Sequence, residues 1–488
     1  MGIPTRDEES PFNSEPSYED QSELVAAQQL VIDQLSAQVA ELQATIADLS
    51  ERLGRTPRNS SMPHPSAEGL SKPPSRAERR AAAKRKPGKQ PGTEGKHLAQ
   101  VVAPDAVVTH VPGACGSCGA ALADAPVVDT GRRQVFDLPE IAFVVTEHVA
   151  ERRRCTCGCE TKANFPKAAT APAVYGPGVR ALAAYLNVHQ HLPLDRTAQL
   201  FCDLLGQEVS VGAIASMITE AAAGTTEFTE HIRVLLRQAD TVHFDETGAR
   251  VNGRLGWVHG ASNDWLTLLD CHDRRGKVAM ADLGVIAQMT GVAVHDGWRP
   301  YRSFDVTHAL CNAHHLRELE GVGVVWNQGW ANDLADLLVE AKGAVEEAVA
   351  NEKTSLKDTT LHSIRVRYGI LVAKGFAANP TPPEGTKRHG YEKKAYNLLV
   401  RLDTQRADVL RFCHDFRAPF TNNQAERDIR LVKLQQKISG SWRTMAGARN
   451  FCAIRSYIST MRKNRRDVLG GLRLLFEGQV WLPGVADT

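Results

Sequence analysis

Thr241-Val-His-Phe-Asp245 and Val292-Ala-Val-His-Asp296 are two short runs rich in β-branched and aromatic residues, and each ends in a carboxylate. Runs of that composition read as strands. Between them, Leu255–Gly260 and Leu266–Cys271 read as two more strands, followed by a helical segment over Lys277–Thr290. Beyond Asp296 a short apolar stretch, Ala309–Cys311, precedes a helix expected to start near Ala313. A single aspartate after a strand is often only a turn residue. Two of them, closing the first and fourth strands of one sheet, suggest a site.

Three strands, a helical segment and a fourth strand is the order of a ribonuclease-H-like α/β domain. The first and fourth strands are then neighbours, which would bring Asp245 and Asp296 together where such sheets carry their sites. Glu246 is a rival to Asp245, but its side chain points to the opposite face if the strand continues. Carboxylates suit Mg²⁺, a hard ion that keeps several waters, and Mn²⁺ accepts the same ligands. Two such ions roughly 3.5–4 Å apart can serve both the attacking and the leaving oxygen of phosphodiester chemistry.

A third carboxylate has to complete the cage. The candidate is Glu426, in Thr421-Asn-Asn-Gln-Ala-Glu-Arg-Asp-Ile-Arg. Thr421 or Asn422 can cap a helix there, placing Glu426 in its first turns, with Arg427, Arg430 and Lys433 repeating at helical spacing. Glu426 could instead pair with Arg430 four residues on. Cys311-Asn-Ala-His314-His315 reads equally as a metal site or as strand-to-helix packing. His243 and His295, just before the two aspartates, fit a core or supporting role.

Upstream, the chain changes character several times. Residues 1–20 are acidic, polar and Pro-containing, and are expected to be disordered. Within 21–54 a seven-residue repeat sets Val25, Ile32, Val39, Ile46 and Leu53 on one seam and Leu35, Leu42 and Leu49 on the other, interrupted by Gln28. That pattern favours a parallel two-stranded coiled coil over 25–53, the alternative being one amphipathic helix packed on its own protein. Residues 55–100 form a Pro-, Gly- and Ser-rich linker. Between Lys72 and Lys96 it holds nine Lys or Arg against Glu78 and Glu94. Arg79, Arg80, Lys84, Arg85, Lys86 and Lys89 in this block can neutralise DNA phosphates, and a plain solvated linker is the other reading.

Five of the ten cysteines fall in 101–170. Cys115-Gly-Ser-Cys118 and Cys155-Thr-Cys157-Gly-Cys159 flank β-looking stretches at Val135–Leu138 and Phe143–Val149, the arrangement of a zinc ribbon. Cys115, Cys118 and Cys157 are three expected thiolate ligands, and the fourth is Cys155 or Cys159. Residues 171–235 turn helical over Val179–His189, Pro193–Leu205 and Val211–Ala222. The last two, around Gly206, could form a helix-turn-helix with Ser210 as the cap of its second helix.

Whole-chain numbers frame these readings. A length of 488 residues allows about three domains, and 42% hydrophobic with 23% charged residues is globular. No run of about 18 apolar residues and no signal-peptide pattern is present, so a soluble, cytoplasmic, nucleoid-associated protein is expected. The net charge of +2 conceals opposite blocks. Residues 1–54 hold eleven acids against Arg6 and Arg52, whereas Arg427–Arg466 holds eleven Lys or Arg and only Asp428. That distribution points to nucleic acid.

Taken in order, these features resemble the DDE transposases of the bacterial insertion sequence 66 family over nearly the whole chain. The likeness rests on the zipper, Asn59-Ser-Ser, Arg85-Lys-Pro-Gly-Lys-Gln-Pro-Gly, the cysteine ribbon, Tyr175-Gly-Pro-Gly, His243-Phe-Asp-Glu-Thr and His295-Asp-Gly-Trp. It continues through Leu310-Cys-Asn-Ala-His-His-Leu-Arg-Glu-Leu, Asn422-Asn-Gln-Ala-Glu-Arg and Arg455-Ser-Tyr-Ile-Ser-Thr. The resemblance implies Asp245, Asp296 and Glu426 as the acidic triad. It implies a catalytic core over 236–325 and 416–488, and a helical insertion over 326–415. Helices at Asp333–Ala350 and Tyr391–Phe412 would form that insertion, joined by a Pro/Gly-rich loop at Asn379–Gly390. Strand cleavage and transfer on element ends and target DNA would follow, in a dimer or larger assembly, with accessory proteins of the same element as further partners. The chain departs from the family pattern in Cys-x-Cys-x-Cys and at Trp298, where Tyr is common.

Overall fold

Alternating side chains need partners before they become a sheet, and the chain supplies them unevenly. The computed structural model describes residues 29, 32–40, 43, 98–139, 141–381 and 390–484. The acidic tail, the basic residues of 72–96 and most of the heptad segment lie outside the described residues; 32–40 is helical. Contacts divide the chain into two units, one of residues 72–147 with 199–208, the other of the remainder. Among the described residues no helix is long and apolar enough to cross a membrane.

The expected strands at Val135–Leu138 and Phe143–Val149 do not form. Val135, Leu138, Val144 and Val145 are exposed, so their alternation finds no neighbouring strand to pack against. Two short strands appear further on, β1 (Arg152–Arg154) and β2 (Glu160–Lys162), paired antiparallel around the second cysteine group.

The main sheet has β3 (Thr241–Val251), β4 (Arg254–Ser262), β5 (Thr267–His272), β6 (Val292–His295) and β7 (Thr307–Leu310) in the order β5-β4-β3-β6-β7. β3, β4 and β5 run antiparallel, and β6 and β7 join parallel to β3. Asn252 and Gly253 make the β3–β4 turn with φ of 49° and 72°, the left-handed pair that a two-residue hairpin requires. β5 is an edge, and its outward groups are not left open. Ser456 Oγ accepts from Leu269 N at 2.8 Å, Thr460 Oγ1 accepts from Thr267 N at 3.0 Å, and Arg449 Nε donates to Cys271 O at 3.1 Å. These three residues share one face of the Met445–Lys463 helix, which therefore seals the edge against further strand pairing.

Helices precede the sheet at Pro177–Ala184, Leu194–Leu205, Val211–Gly224 and Thr226–Gln238. The first continues as a π-helical turn over Tyr185–His189. Gly206 turns left-handed at φ 64° after the second, and Ser210 Oγ accepts from Ala213 N at 3.1 Å to cap the third, as its sequence suggests.

A second apolar core forms between Leu319, Leu334, Leu338, Tyr368, Leu399 and Leu402. It joins helices Asn312–Glu320, Gly329–Ala350, Asp358–Ala378 and Gly390–Thr404. The Asp358–Ala378 helix is not anticipated by the sequence reading. Its buried Ile364, Tyr368, Leu371 and Val372 do fall on one stripe, but the exposed Val366 and Ile370 put apolar residues on the other side as well and blur the pattern. Residues 382–389 of the expected joining loop lie outside the described residues.

Candidate active site and cysteine turns

Strand register brings the two aspartates together. β3 and β6 pair in parallel with His243 opposite Val294. Continued two residues along each chain, that register sets Asp245 beside Asp296, on neighbours about 4.8 Å apart. Gly297, at φ 86°, turns the chain immediately after Asp296. Its N–H donates to His295 Nδ1 at 3.0 Å, and Trp298 N donates to Asp296 Oδ1 at 2.8 Å, so the carboxylate is held by its own turn. His295 Nε2 faces His308 Nδ1 at 2.9 Å, and the His295 ring stacks on Tyr301 with centroids 4.3 Å apart. Both imidazoles are pushed to low pKa, first by burial.

Glu426 reaches the same place from the Asn423–Ser439 helix, which lies across β3 and β4. Ile429 and Val432 are buried beneath that helix, at about 1.5–3 kcal/mol of stabilisation each. Asn422 occupies the cap position without capping the helix by its side chain. That side chain is spent on the sheet: Nδ2 donates to Phe244 O at 2.7 Å, and Oδ1 meets His243 Nδ1 at 2.9 Å. Asn422 N also donates to Cys311 Sγ at 3.1 Å. The buried Asn422 thus pins the start of the Glu426 helix to the strand that carries Asp245.

The resulting electrostatics are those of crowded like charges. Burial, Glu246, Asp296 and Glu426 all push the Asp245 carboxyl well above its ordinary range. Glu246 faces the opposite side of β3, as the strand period requires. It accepts from Arg275 Nε and Nη2 at 3.0 and 2.7 Å and from the Tyr301 hydroxyl at 2.7 Å. Arg275 in turn lies over Trp257 and Trp298, 4.7 and 3.9 Å from their centroids. Glu246 is therefore ion-paired, although burial and then Asp296 still raise its carboxyl, whereas Asp245, Asp296 and Glu426 form no ion pair with Lys or Arg among the described residues.

Glu426 does not pair with Arg430. Its Oε1 is buried without a hydrogen-bond partner among the described residues, and the nearest cationic candidate is His314 Nε2 at 3.8 Å. Cys311, His314 and Glu426 hold ligand atoms within 4.8 Å of one another, so both readings of the Cys311 motif have substance. Arg401, unanticipated from sequence, packs its side chain 3.8 Å from where a Cβ on Gly297 would stand. It pairs with Glu318. Burial lowers its pKa and Asp296 opposes that shift. Arg427 and Arg430 are exposed, and Lys433 Nζ donates to Gly248 O at 2.6 Å. Arg79, Arg80, Lys84, Arg85, Lys86 and Lys89 lie outside the described residues.

The two cysteine groups fall in different units and each builds its own turn. Cys115 N donates to Ala120 O and Gly119 N to Cys115 O, with Gly119 at φ 75°. Cys155 N donates to Cys159 O and Gly158 N to Cys155 O, with Gly158 at φ 88°. The Cys115 thiol pKa is lowered by the backbone of Cys118 and then Ser117. That of Cys155 is lowered by the backbone and then the side chain of Cys157. Amides aimed at sulfur favour thiolates, the form that binds zinc.

Comparison with known proteins decides the family. Residues 172–450 match the family described as Transposase IS66 family. The chain belongs to that family. This transposase also matches the zinc-finger binding domain of transposase IS66 over residues 112–159, and the Family of unknown function (DUF6444) over 10–99. It is 23% identical to the uncharacterized protein y4hP of Sinorhizobium fredii, across 74% of this chain and 69% of that one. Membership makes it a DNA transposase of mixed α/β architecture with a zinc-binding region.

Proposed function

We propose that this transposase cleaves and joins DNA by a DDE mechanism, with Asp245, Asp296 and Glu426 as the triad of a ribonuclease-H-like core. The observation that carries the reading is the strand register that sets Asp245 beside Asp296, with the Glu426 helix packed across the same strand and Arg275 paired to Glu246. Three unmatched carboxylates call for cations. The donor set fits, because all three offer hard oxygens and Glu426 Oε1 is a buried acceptor without a partner among the described residues. Asp245, Asp296 and Glu426 would hold two Mg²⁺, or Mn²⁺. When bound, these ions activate the attacking oxygen and neutralise the leaving one.

The chain's own contribution is position and charge. Asp296 is fixed by its turn, Glu426 by the Asn422 pin and Asp245 by the strand. Water opens the phosphodiester at an element end, and the freed 3′-hydroxyl attacks target DNA with no covalent bond to the protein. Arg427, Arg430, Lys433 and the basic segment containing Arg79, Arg80, Lys84, Arg85, Lys86 and Lys89 neutralise backbone phosphates. A structural Zn²⁺ is held by cysteines of the zinc-binding region, with Cys115, Cys118, Cys157 and either Cys155 or Cys159 as the candidate thiolates. The linker, the ribbon and the helices on either side of Gly206 read the element ends. Residues 25–53 pair two chains, supported by Ile32, Leu35 and Val39 standing about half-exposed on the described helical stretch. Accessory proteins of the same element and the nucleoid complete the setting.

Labelled element ends test the chemistry. Asp245→Asn and Glu426→Gln should abolish cleavage and strand transfer while leaving end binding intact. Either variant still cutting in Mg²⁺ would sink the assignment.

A further inference from the structure

Arginines converge on the π-helical turn at Tyr185–His189, on elements that contribute nothing to the acidic triad. Arg455 and Arg462 lie seven residues apart on one face of the Met445–Lys463 helix. Arg455 Nη1 stands 2.6 Å from His189 Nδ1, and Arg462 Nη1 stands 2.5 Å from His189 Nε2. A neutral imidazole accepts at only one nitrogen. Burial, followed by Arg455 and Arg462, holds His189 down to a pKa of about 4, so it is neutral at physiological pH. One guanidinium therefore faces an N–H where it needs an acceptor.

The surroundings leave that need unmet. Arg455 is 5% exposed, and its Nε is buried without a hydrogen-bond partner among the described residues. The carboxylate that favours its charge, Asp428, is engaged by Lys463 at 2.8 Å. The helix ends with Arg465 N donating to Arg462 O and Arg466 N to Met461 O, Arg465 taking φ 55° where glycine is usual. This turn puts Arg465 and Arg466 on the rim of a cleft of about 540 Å³, which Arg462 and His189 also line. Both rim arginines are exposed and without an ion pair among the described residues. The cleft's one carboxylate, Asp467, accepts from Leu469 N at 3.1 Å as a helix cap.

We infer that this cleft binds a phosphodiester of DNA through Arg462, Arg465 and Arg466, with His189 in its lining and Arg455 held behind that ring. Phosphate oxygens supply the acceptors that these forks lack. The inference rests on the proposed DNA chemistry only in that DNA is the ligand.

The test uses the full chain carrying Asp245→Asn, so that binding is read without cleavage, and a labelled duplex lacking element ends. Arg462→Gln with Arg465→Gln and Arg466→Gln should weaken binding at least about tenfold near 0.15 M salt and lower the salt slope by about 2–3. Replacing the same three by Lys should largely restore the slope. Unchanged affinity and slope in the Gln triple variant would overturn the inference. A second arm measures thermal stabilisation by inorganic phosphate against chloride at equal ionic strength. Stabilisation of the parent but not the triple variant, with DNA affinity unchanged, would assign the cleft to free phosphate and overturn the DNA assignment. Loss of the salt slope alongside active triad variants would leave the cleft standing and remove the DDE reading.

Discussion

Tyr301 donates its phenolic hydrogen to Glu246 at 2.7 Å from the buried side of β3, and with Arg275 it fixes which of two neighbouring acids is free for a ligand. Asp245 and Glu246 are adjacent in sequence yet face opposite sides of one strand. The matched acid is a support and the unmatched one is the candidate ligand.

That difference is measurable. Glu246→Ala leaves Arg275 and Tyr301 without their acceptor and should cost about 3–5 kcal/mol of stability. Glu246→Gln keeps an acceptor for Tyr301 and should retain reduced, Mg²⁺-dependent cleavage. Asp245→Asn should retain none. Urea unfolding with a cleavage assay on the same preparations separates them, and a fully inactive but stable Glu246→Gln would place Glu246 among the ligands.

The Asn422 pin makes a second prediction. Asn422→Ala removes the bonds to Phe244 O and to His243 inside a site that is 1% exposed. About 2–4 kcal/mol should be lost from the buried groups left unpaired. Because Glu426 sits one turn further along the helix, cleavage should fall 10-fold or more with DNA affinity nearly unchanged, a split that global destabilisation would not produce at low temperature.

Much of this arrangement is written locally. Asp245 and Asp296 close apolar β-rich runs, and Glu426 follows a run of turn-forming residues, so short windows of sequence mark all three as candidates. What those windows cannot show is tertiary. Asn422 reads as a helix cap, because the strand carbonyl that captures its side chain lies 178 residues away. Arg275 carries no local signal, because the Trp257 and Trp298 rings it lies over come from other parts of the chain. Val135–Leu138 reads as a strand by alternation, yet pairing depends on a neighbour that the ribbon region does not offer.

Acid should destabilise the fold through its buried imidazoles. His259 is 3% exposed, its Nε2 lies 3.2 Å from Arg274 O, and burial, with His272 and Arg275, pushes its pKa down to about 4. The unfolded chain, with an ordinary value near 6.5, binds the proton more readily between those limits. The stabilising contribution is therefore complete above pH 6.5 and is lost as pH falls toward 4. About 2–3 kcal/mol should disappear across that window. Urea midpoints of the parent should fall more steeply than those of His259→Gln, and parallel curves would remove His259 as the cause.

Zinc content distinguishes the two candidate fourth ligands. Cys155 and Cys157 share amide and thiol contacts within one turn, whereas Cys159 enters that turn through its carbonyl, which accepts from Cys155 N at 2.8 Å. Serine at position 159 keeps that carbonyl, so Cys159→Ser should retain one zinc per chain. Cys155→Ser and Cys157→Ser should each lower zinc affinity by at least about tenfold, since a hydroxyl is a poor replacement for a thiolate on this ion. Colorimetric zinc release under graded chelator reads both outcomes. Zinc lost from Cys159→Ser and kept by Cys155→Ser would reverse the assignment.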